Sequence, residues 1–153
     1  MVKRTDFSQM NCSLARSAEI FGDRWTMVIL RDICWGRTHF QDIQASLGIA
    51  RNILSNRLQW LVETGMVEKR PYSNRANRFE YIPTEMAIDL MPALLAIIAW
   101  GDRWTAGEEG PPTLFTHPHC EGPIEAQVVC KRCGQPVRPD ELEVHHQFAT
   151  ENK

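Results

Sequence analysis

The feature that most constrains the fold of this chain is the stretch from residue 40 to residue 82. It contains two amphipathic runs, Phe40–Leu47 and Arg51–Thr64, and each run is followed by a glycine. Two segments with strand-like alternation come next, Met66–Arg70 and Arg78–Ile82, separated by a polar and basic loop. Two helices joined by a tight turn and followed by a hairpin are typical of a winged helix-turn-helix. We therefore predict a mainly α fold with a small β-hairpin.

The second helix of this motif has a polar face that suits the major groove of DNA. Its apolar residues form one stripe at about 100° per residue, and its polar residues fall on the opposite side. Side chains of these types contact base edges and phosphates, although ordinary solvated helix faces carry them too. The hairpin that follows favours DNA binding. We predict DNA contacts from five residues of this helix: Arg51, Asn52, Ser55, Asn56 and Gln59.

The predicted hairpin adds positive charge beside that helix. Its loop, 71–77, is polar and rich in turn-forming residues. Arginines in and around the loop are placed to reach a phosphate backbone or a minor groove. A surface hairpin with incidental arginines is the alternative. We predict wing contacts from Arg70, Asn74, Arg75 and Arg78.

Composition and charge limit the classes of function. The formal net charge is −2, but residues 51–80 contain six Arg/Lys against three Glu, and a local positive face is sufficient for a DNA footprint. No stretch is typical of a signal peptide or a membrane span, so we expect a cytoplasmic protein without a membrane partner. We recognise no Gly-rich cofactor loop, and no acid–base pair outside the C-terminal part, so we predict that the protein is not an enzyme.

Further helices are predicted on both sides of the central motif, at Ser13–Phe21, Trp25–Cys34 and Glu85–Trp104. Residues 38–41 fit a capping box for the helix that begins near Phe40. The last predicted helix has two apolar stripes, and a domain this small can cover only one of them. A second copy of the chain would cover the other stripe, and the alternative is that residues 105–153 fold back over it.

The C-terminal part carries a Cys/His pattern after a Gly/Pro-rich linker at 105–112. One piece reads His-Pro-His-Cys (117–120) and the other Cys-Lys-Arg-Cys-Gly (130–134), a knuckle that can direct two thiolates at one metal. We predict a zinc-ribbon-like extension at 113–153 with one tetrahedral Zn²⁺, and His119 is a competing ligand. A redox-active Cys-x-x-Cys and plain reduced thiols are the alternatives. The predicted zinc ligands are His117, Cys120, Cys130 and Cys133.

Short motifs follow one another in order over roughly residues 10–104. They are Cys12, Phe21-Gly22-Asp23-Arg24-Trp25-Thr26, Ile29-Leu30-Arg31-Asp32, Gly36-x-x-x-Phe40, Leu58-x-x-Leu61-x-x-x-Gly65-Met66-Val67 and Tyr81-x-x-Thr84. Each motif is weak alone, but the ordered set resembles the HxlR family of winged-helix transcriptional regulators. The chain departs from the family at Ala50, where a Ser-type helix cap is usual, and at Asn52, where many members have a basic residue.

The resemblance implies a dimeric DNA-binding repressor or activator. Some members of the family sense oxidants or electrophiles through a thiol at the position of Cys12, so the resemblance also implies either a thiol sensor or a packing residue there. It further implies an unidentified small-molecule or redox effector.

These observations predict three segments: a DNA-binding and dimerisation domain at 1–104, a linker at 105–112 and a Cys/His-containing extension at 113–153. The predicted function is sequence-specific binding of double-stranded DNA by a homodimeric transcriptional regulator, a repressor that acts on a pseudo-palindromic operator. Two other hypotheses remain open. One is a thiol-active or metal-dependent protein that uses Cys130 and Cys133, and the other is a winged helix that binds proteins instead of DNA.

Overall fold

The computed structural model describes residue 7 and residues 10–72 and 78–145. The chain divides into two compact units, Met1–Met91 and Pro92–Lys153. No helix in these described ranges has the length and apolar character needed to cross a membrane. In chain order the elements are α1 (Ser13–Phe21), α2 (Thr26–Cys34), α3 (Phe40–Leu47), α4 (Arg51–Glu63), β1 (Val67–Pro71), β2 (Phe79–Pro83), α5 (Glu85–Asp89), α6 (Met91–Thr105) and a 3₁₀ turn (Pro139–Glu141).

The helices of the first unit follow the apolar spacing of the sequence. α1 and α3 have the predicted bounds, and α2 and α4 each differ from the prediction by one residue at one end. In α4, Leu54, Leu58 and Leu61 recur at the spacing of one helix face and are almost completely buried. Burial of each such side chain contributes about 1.5–3 kcal/mol to folding. Residues from α2 to α5 form this core: Ile29, Leu30, Ile33, Ile43, Ile49, Leu54, Leu58, Leu61, Met66, Val67, Tyr81 and Ala87.

The turn between α3 and α4 depends on Gly48. Its φ of +60° lies in the left-handed region, and its N–H donates to the Gln44 carbonyl at 3.0 Å, which ends α3. A Cβ at this position would meet no other atom, so the backbone conformation rather than crowding selects glycine. Ala50 is the N-cap of α4 and makes no side-chain hydrogen bond, which confirms that this helix lacks the usual cap.

The hairpin is an antiparallel ladder that places Lys69 opposite Tyr81 and Arg70 opposite Glu80. Each strand begins one residue later than predicted. Helix, turn, helix and hairpin therefore occur in the predicted order, and the winged helix-turn-helix prediction is confirmed for the first unit.

The predicted capping box at residues 38–41 is wrong. α3 begins at Phe40, so its N-cap is His39, and no side-chain cap hydrogen bond forms. The cause is tertiary pairing, because the Thr38 carbonyl accepts the Tyr81 N–H at 2.8 Å and His39 forms a β-bridge with Glu80. The backbone in front of α3 is thereby held against β2.

The predicted single helix from Glu85 to Trp104 is also wrong. The structure has two helices, α5 and α6, with a break at Leu90. Pro92 explains the break, because it has no N–H to donate to the carbonyl four residues earlier. As the second residue of α6, it occupies a position where a missing N–H costs nothing.

The second unit begins with α6 and continues through two short hairpins. One hairpin contains the bridge between Thr116 and Pro123, and the other contains the bridge between Val129 and Pro136. Leu94 is the buried residue of α6, and no side chain described between residues 106 and 145 is buried. The zinc-ribbon-like character of this region stays a prediction.

Candidate nucleic-acid interface

The predicted DNA-contacting face of α4 is exposed to solvent at all five positions. The Arg51 guanidinium lies 5.3 Å from the centre of the Phe40 ring, a cation–π geometry that restrains the side chain. The Gln59 amide donates to Glu63 Oε1 at 2.8 Å and is therefore engaged within its own helix. Contact of this face with DNA stays a prediction.

Two side chains at the edge of the polar face of α4 fix the orientation of the helix. The Arg57 Nε atom lies 3.3 Å from Asp23 Oδ1, and the Trp60 indole donates to the Ile20 carbonyl at 3.1 Å. Asp23 also accepts hydrogen bonds from the backbone N–H groups at the start of α2 and from the Thr26 hydroxyl. One carboxylate thus connects α2 with α4. Arg57 and Trp60 were not among the predicted site residues, and they lie between the apolar stripe and the polar face.

A second carboxylate stabilises the segment between α2 and α3. Asp32 is fully buried, and its Oδ1 accepts two hydrogen bonds from Arg31, at 3.1 Å and 2.8 Å. The Arg37 guanidinium is 3.7 Å from the same oxygen, and the Arg37 N–H donates to the Asp32 carbonyl at 2.9 Å. The motif Ile29-Leu30-Arg31-Asp32 therefore supports the path of the chain into α3.

An open groove of about 680 Å³ lies between α3, the N-terminal part of α4 and the hairpin. Arg51, Lys69 and Arg78 give it three positive charges, and Ser55 adds a hydroxyl. Asp42 supplies a negative charge and lies 3.5 Å from His39 Nδ1. The lining residues are His39, Phe40, Gln41, Asp42, Arg51, Ser55, Lys69, Tyr72, Arg78, Phe79 and Tyr81.

The groove separates the predicted contact residues into two groups. Arg51, Ser55 and Arg78 line it together, whereas Asn52 and Asn56 are exposed on α4 without lining it. Two of the predicted wing residues, Asn74 and Arg75, lie outside the described residues.

The two cations of β1 have different surroundings. The Lys69 ammonium lies 4.2 Å from the centre of the Phe79 ring and lines the groove. The Arg70 guanidinium, predicted to contact DNA, pairs with Glu68 on the same strand, with Arg70 Nε 2.8 Å from Glu68 Oε2. Side chains alternate between the two faces of a strand, so Lys69 and Arg70 point in opposite directions. The same alternation, applied to residues 67–71, could have identified Lys69 from the sequence.

The tail residues predicted to bind zinc form two pairs. His117 Nδ1 lies 3.4 Å from Cys120 Sγ. In the other pair, hydrogen bonds from the Cys133 and Arg132 backbone N–H groups, and then from the Cys133 thiol, lower the pKa of Cys130. Among the described residues, no group of three or more His, Cys, Asp or Glu side chains is placed to hold a metal ion. The four predicted ligands are thus not brought together among the described residues, and zinc binding stays a prediction.

The other two cysteines lie in the first unit. Cys12 is exposed and is the N-cap residue of α1, and its role as a thiol sensor stays a prediction. Cys34 is half-buried, and this burial raises the pKa of its thiol. A raised pKa disfavours the reactive thiolate, which agrees with a packing role for Cys34.

Comparisons with known proteins agree with this geometry. The profile described as "HxlR-like helix-turn-helix" matches residues 20–109. Uncharacterised HTH-type transcriptional regulators of Mycobacterium bovis and Mycobacterium tuberculosis are 38% identical over 125 residues, which cover 82% of this chain and 79% of theirs.

Two solved structures extend the likeness along the chain. One is PA1607, described as a proposed transcription factor, with 32% identity, a TM-score of 0.82 and coverage of 92% of this chain and 99% of its own. The other is PA1374 of Pseudomonas aeruginosa, with 34% identity, a TM-score of 0.63 and coverage of 92% and 96%. Both alignments continue beyond the residues matched by the family profile and into the second unit.

These relatives are described as transcriptional regulators rather than enzymes, in agreement with the prediction that the chain is not an enzyme. A family match over more than half of the chain, with the helix-turn-helix and hairpin in the expected places, identifies the family. The chain belongs to the HxlR-like helix-turn-helix family of transcriptional regulators.

Proposed function

We propose that the protein is a homodimeric repressor that binds a pseudo-palindromic operator through α4 and the hairpin. The observation that carries this proposal is the groove beside α4, where Arg51, Lys69 and Arg78 come together. Three cations in one open groove suit a phosphate backbone, because each neutralised phosphate releases condensed counterions.

The exposed amides of α4 suit a different part of the duplex. Asn52 and Asn56 project from the helix without lining the groove, and an asparagine can make two hydrogen bonds to the N6 and N7 atoms of adenine. We assign base recognition to these amides and phosphate contact to the cations of the groove. Arg70 contributes less, because Glu68 already offsets its charge.

The dimer part of the proposal rests on an exposed apolar face of α6. Ile97, Trp100 and Trp104 are 51%, 61% and 65% exposed, and their spacing of three and four residues places them on one face. Contiguous exposed apolar surface of this kind marks an interaction site. A second copy of the chain supplies a matching face by two-fold symmetry. Two copies of α4 then read two half-sites, about 34 Å or a multiple of that apart.

Repression follows from operator binding, because a bound dimer excludes polymerase from an overlapping promoter. The test begins with selection of bound sites from a random pool of duplexes, followed by titration of the selected site. Asn56→Ala and Arg51→Ala should each weaken binding by about 1–3 kcal/mol. Arg138→Ala serves as the control for Arg51→Ala, because it also removes one arginine charge, from an exposed position in the second unit. Unchanged affinity in both α4 variants, or no salt-dependent binding to any duplex, contradicts DNA recognition and favours a protein partner.

Dimerisation and repression have separate tests. Trp100→Glu places a charge in the exposed apolar face of α6 and should yield monomers in sedimentation experiments, because an unpaired charge in an apolar contact is uncompensated. Leu114→Glu changes an apolar residue that is 80% exposed outside α6 and should leave the dimer intact. A reporter gene behind the selected operator should become more active when the protein is removed, and lower activity would indicate an activator instead.

A further inference from the structure

The two short hairpins of the second unit repeat one backbone pattern at an offset of 13 residues. Three hydrogen bonds of the first hairpin recur in the second with donor and acceptor both moved by 13 positions. The first set is His117 N–H to Gly122 O (2.8 Å), Glu121 N–H to His117 O (2.8 Å) and Ile124 N–H to Phe115 O (3.0 Å). The second set is Cys130 N–H to Gln135 O (2.9 Å), Gly134 N–H to Cys130 O (2.8 Å) and Val137 N–H to Val128 O (2.8 Å).

The tightest point of each hairpin matches as well. Gly134 has φ +73°, and Glu121, which lies 13 residues earlier, has φ +56°. Among the described residues Glu121 is the one non-glycine residue with a positive φ, and this conformation is unfavourable for a residue with a Cβ. The first hairpin therefore has the same turn conformation as the second, although this conformation is strained at Glu121.

Potential metal ligands occupy the same two positions in both hairpins. At the first position His117 corresponds to Cys130, and at the fourth Cys120 corresponds to Cys133. The His117 Nδ1 and Cys120 Sγ atoms are 3.4 Å apart. Two ligands at ordinary Zn–N and Zn–S distances with a tetrahedral angle between them lie about 3.6 Å apart. The first pair already has the separation that one shared zinc ion requires.

The repeat also distinguishes the two histidines of the first hairpin. His119 falls at the position of Arg132, a residue type that does not bind zinc. The His119 ring meets the His117 ring at an interplanar angle of 65°, with centroids 5.3 Å apart. His117, rather than His119, therefore stands at the ligand position.

The region around the hairpins has little else to stabilise it. No side chain described from residue 106 to residue 145 is buried, so apolar burial, the main favourable term in folding, is small there. Small scaffolds without a core are commonly held by a metal or by disulfides. Cys120, Cys130 and Cys133 are all free thiols in the structure, which leaves them available to a metal.

We propose that the two hairpins close on one Zn²⁺ held by His117 Nδ1 and the thiolates of Cys120, Cys130 and Cys133. The described residues hold these ligands as two pairs and not as a group of three or four, so binding brings the hairpins together. The three thiols release their protons to solvent, and metal binding is coupled to ordering of the second unit. With four protein ligands the site is closed, and its role is structural rather than catalytic.

The first experiment measures zinc in the full chain by mass spectrometry of the metal and by competition with a coloured chelator. Wild type and His119→Ala should each hold about one zinc per chain. Substitution of residues that only support the ligands lowers metal affinity by up to about 100-fold. Because His117 is itself a proposed ligand, His117→Ala should lower zinc affinity by at least that factor. Full affinity in His117→Ala overturns the ligand assignment, and wild type that binds no zinc overturns the site.

A second experiment replaces zinc with Co²⁺ and measures the thiolate-to-cobalt absorption band. Wild type and His119→Ala should show the band of three thiolates, and Cys133→Ser should lose roughly a third of its intensity. An unchanged band in Cys133→Ser contradicts the proposal. A Cys130–Cys133 disulfide in protein purified without reductant but with zinc present contradicts it as well. Circular dichroism of each variant checks that the helices remain folded, since none of these residues belongs to a helix.

Discussion

The two units of this chain are stabilised in different ways. In the first unit, side chains from α2, α3, α4 and the hairpin are removed from water, and Ile29, Leu30 and Leu54 are completely buried. In the second unit, the described residues from 106 to 145 include no buried side chain. Apolar packing therefore supports the polar groove of the first unit, whereas the described hairpins of the second unit have no comparable packing.

The difference also bears on how each site is built. The groove of the first unit brings together residues from α3, α4, β1 and β2, and the core beneath them sets their spacing. The paired ligands of the second unit come from turns of four residues, His117 to Cys120 and Cys130 to Cys133, which form from local hydrogen bonds. A groove of the first kind is present before its partner binds, and a site of the second kind would be completed by the proposed metal.

The largest expected effect is a loss of stability when an apolar side chain is shortened, and it should differ between the two units. Leu58→Ala leaves a cavity in the buried stripe of α4 and should lower the free energy of unfolding of the first unit by about 2–5 kcal/mol. Leu142→Ala removes the same atoms from a residue that is 55% exposed in the second unit and should change stability by less than about 0.5 kcal/mol. Urea unfolding followed by circular dichroism measures both. Equal losses in the two variants would show that the second unit has a core after all.

Local signals predicted most of the first unit. Apolar spacing and the glycines at 48 and 65 placed α3 and α4 to within one residue, because burial and the left-handed turn act on neighbouring residues. The two wrong predictions have different causes. The break at Leu90 follows from Pro92, a local signal, whereas the capping box failed because of a distant partner. Thr38 looked like a helix cap, but its carbonyl is bound to Tyr81, more than forty positions along the chain.

The site was predicted less completely than the fold. Arginines were chosen along β1 by residue type, so Arg70 was selected and Lys69 was missed, although alternation along the strand separates the two. Arg57 lies at the edge of the polar face of α4, and no pattern in the sequence pairs it with Asp23. In the second unit the two ligand pairs follow from spacing within each turn, but the 13-residue repeat becomes visible only through its hydrogen bonds.

A smaller change in stability is expected from two residues that have nearly the same backbone conformation, one in each unit. Gly48 has φ +60° and Glu121 has φ +56°. Gly48→Ala should lower the free energy of unfolding of the first unit by about 1–2 kcal/mol, because a Cβ is unfavourable there. Glu121→Gly relieves the same strain but adds freedom to the unfolded chain, so it should raise zinc affinity by at most about fivefold. Gly107→Ala is the control, because Gly107 has neither a positive φ nor an atom close to an added Cβ, and it should leave stability and zinc affinity unchanged. Lower zinc affinity in Glu121→Gly would show that Glu121 has another role.

The next effect concerns charge and asks which unit contacts DNA. Lys69→Ala removes a cation from the groove and should reduce the slope of log affinity against log salt by about one unit, on operator and random duplexes alike. Arg70→Ala should have a smaller effect, because Glu68 pairs with Arg70 on β1. Arg138→Ala in the second unit should leave the slope unchanged. A reduced slope in Arg138→Ala would mean that the second unit also lies against the duplex.

The last prediction leaves the fold unchanged and compares one thiol from each unit. Burial raises the pKa of Cys34, whereas hydrogen bonds from the Cys133 and Arg132 N–H groups lower the pKa of Cys130. Only the thiolate reacts with alkylating agents, and a lower pKa means that thiolate is present at lower pH. In metal-free, reduced protein Cys130 should therefore reach half of its maximal alkylation rate at a lower pH than Cys34, as measured by mass spectrometry of the peptides.

Two controls separate the causes of this order. Cys133→Ser removes one thiol but keeps the two backbone donors that contribute most to the shift, so Cys130 should still react at lower pH than Cys34. Added zinc should protect Cys130 and leave Cys34 as reactive as before, because only the first of these thiols would be a ligand. Alkylation of Cys34 before Cys130 would contradict the expected order, and equal protection of both by zinc would show that the metal stabilises the first unit as well.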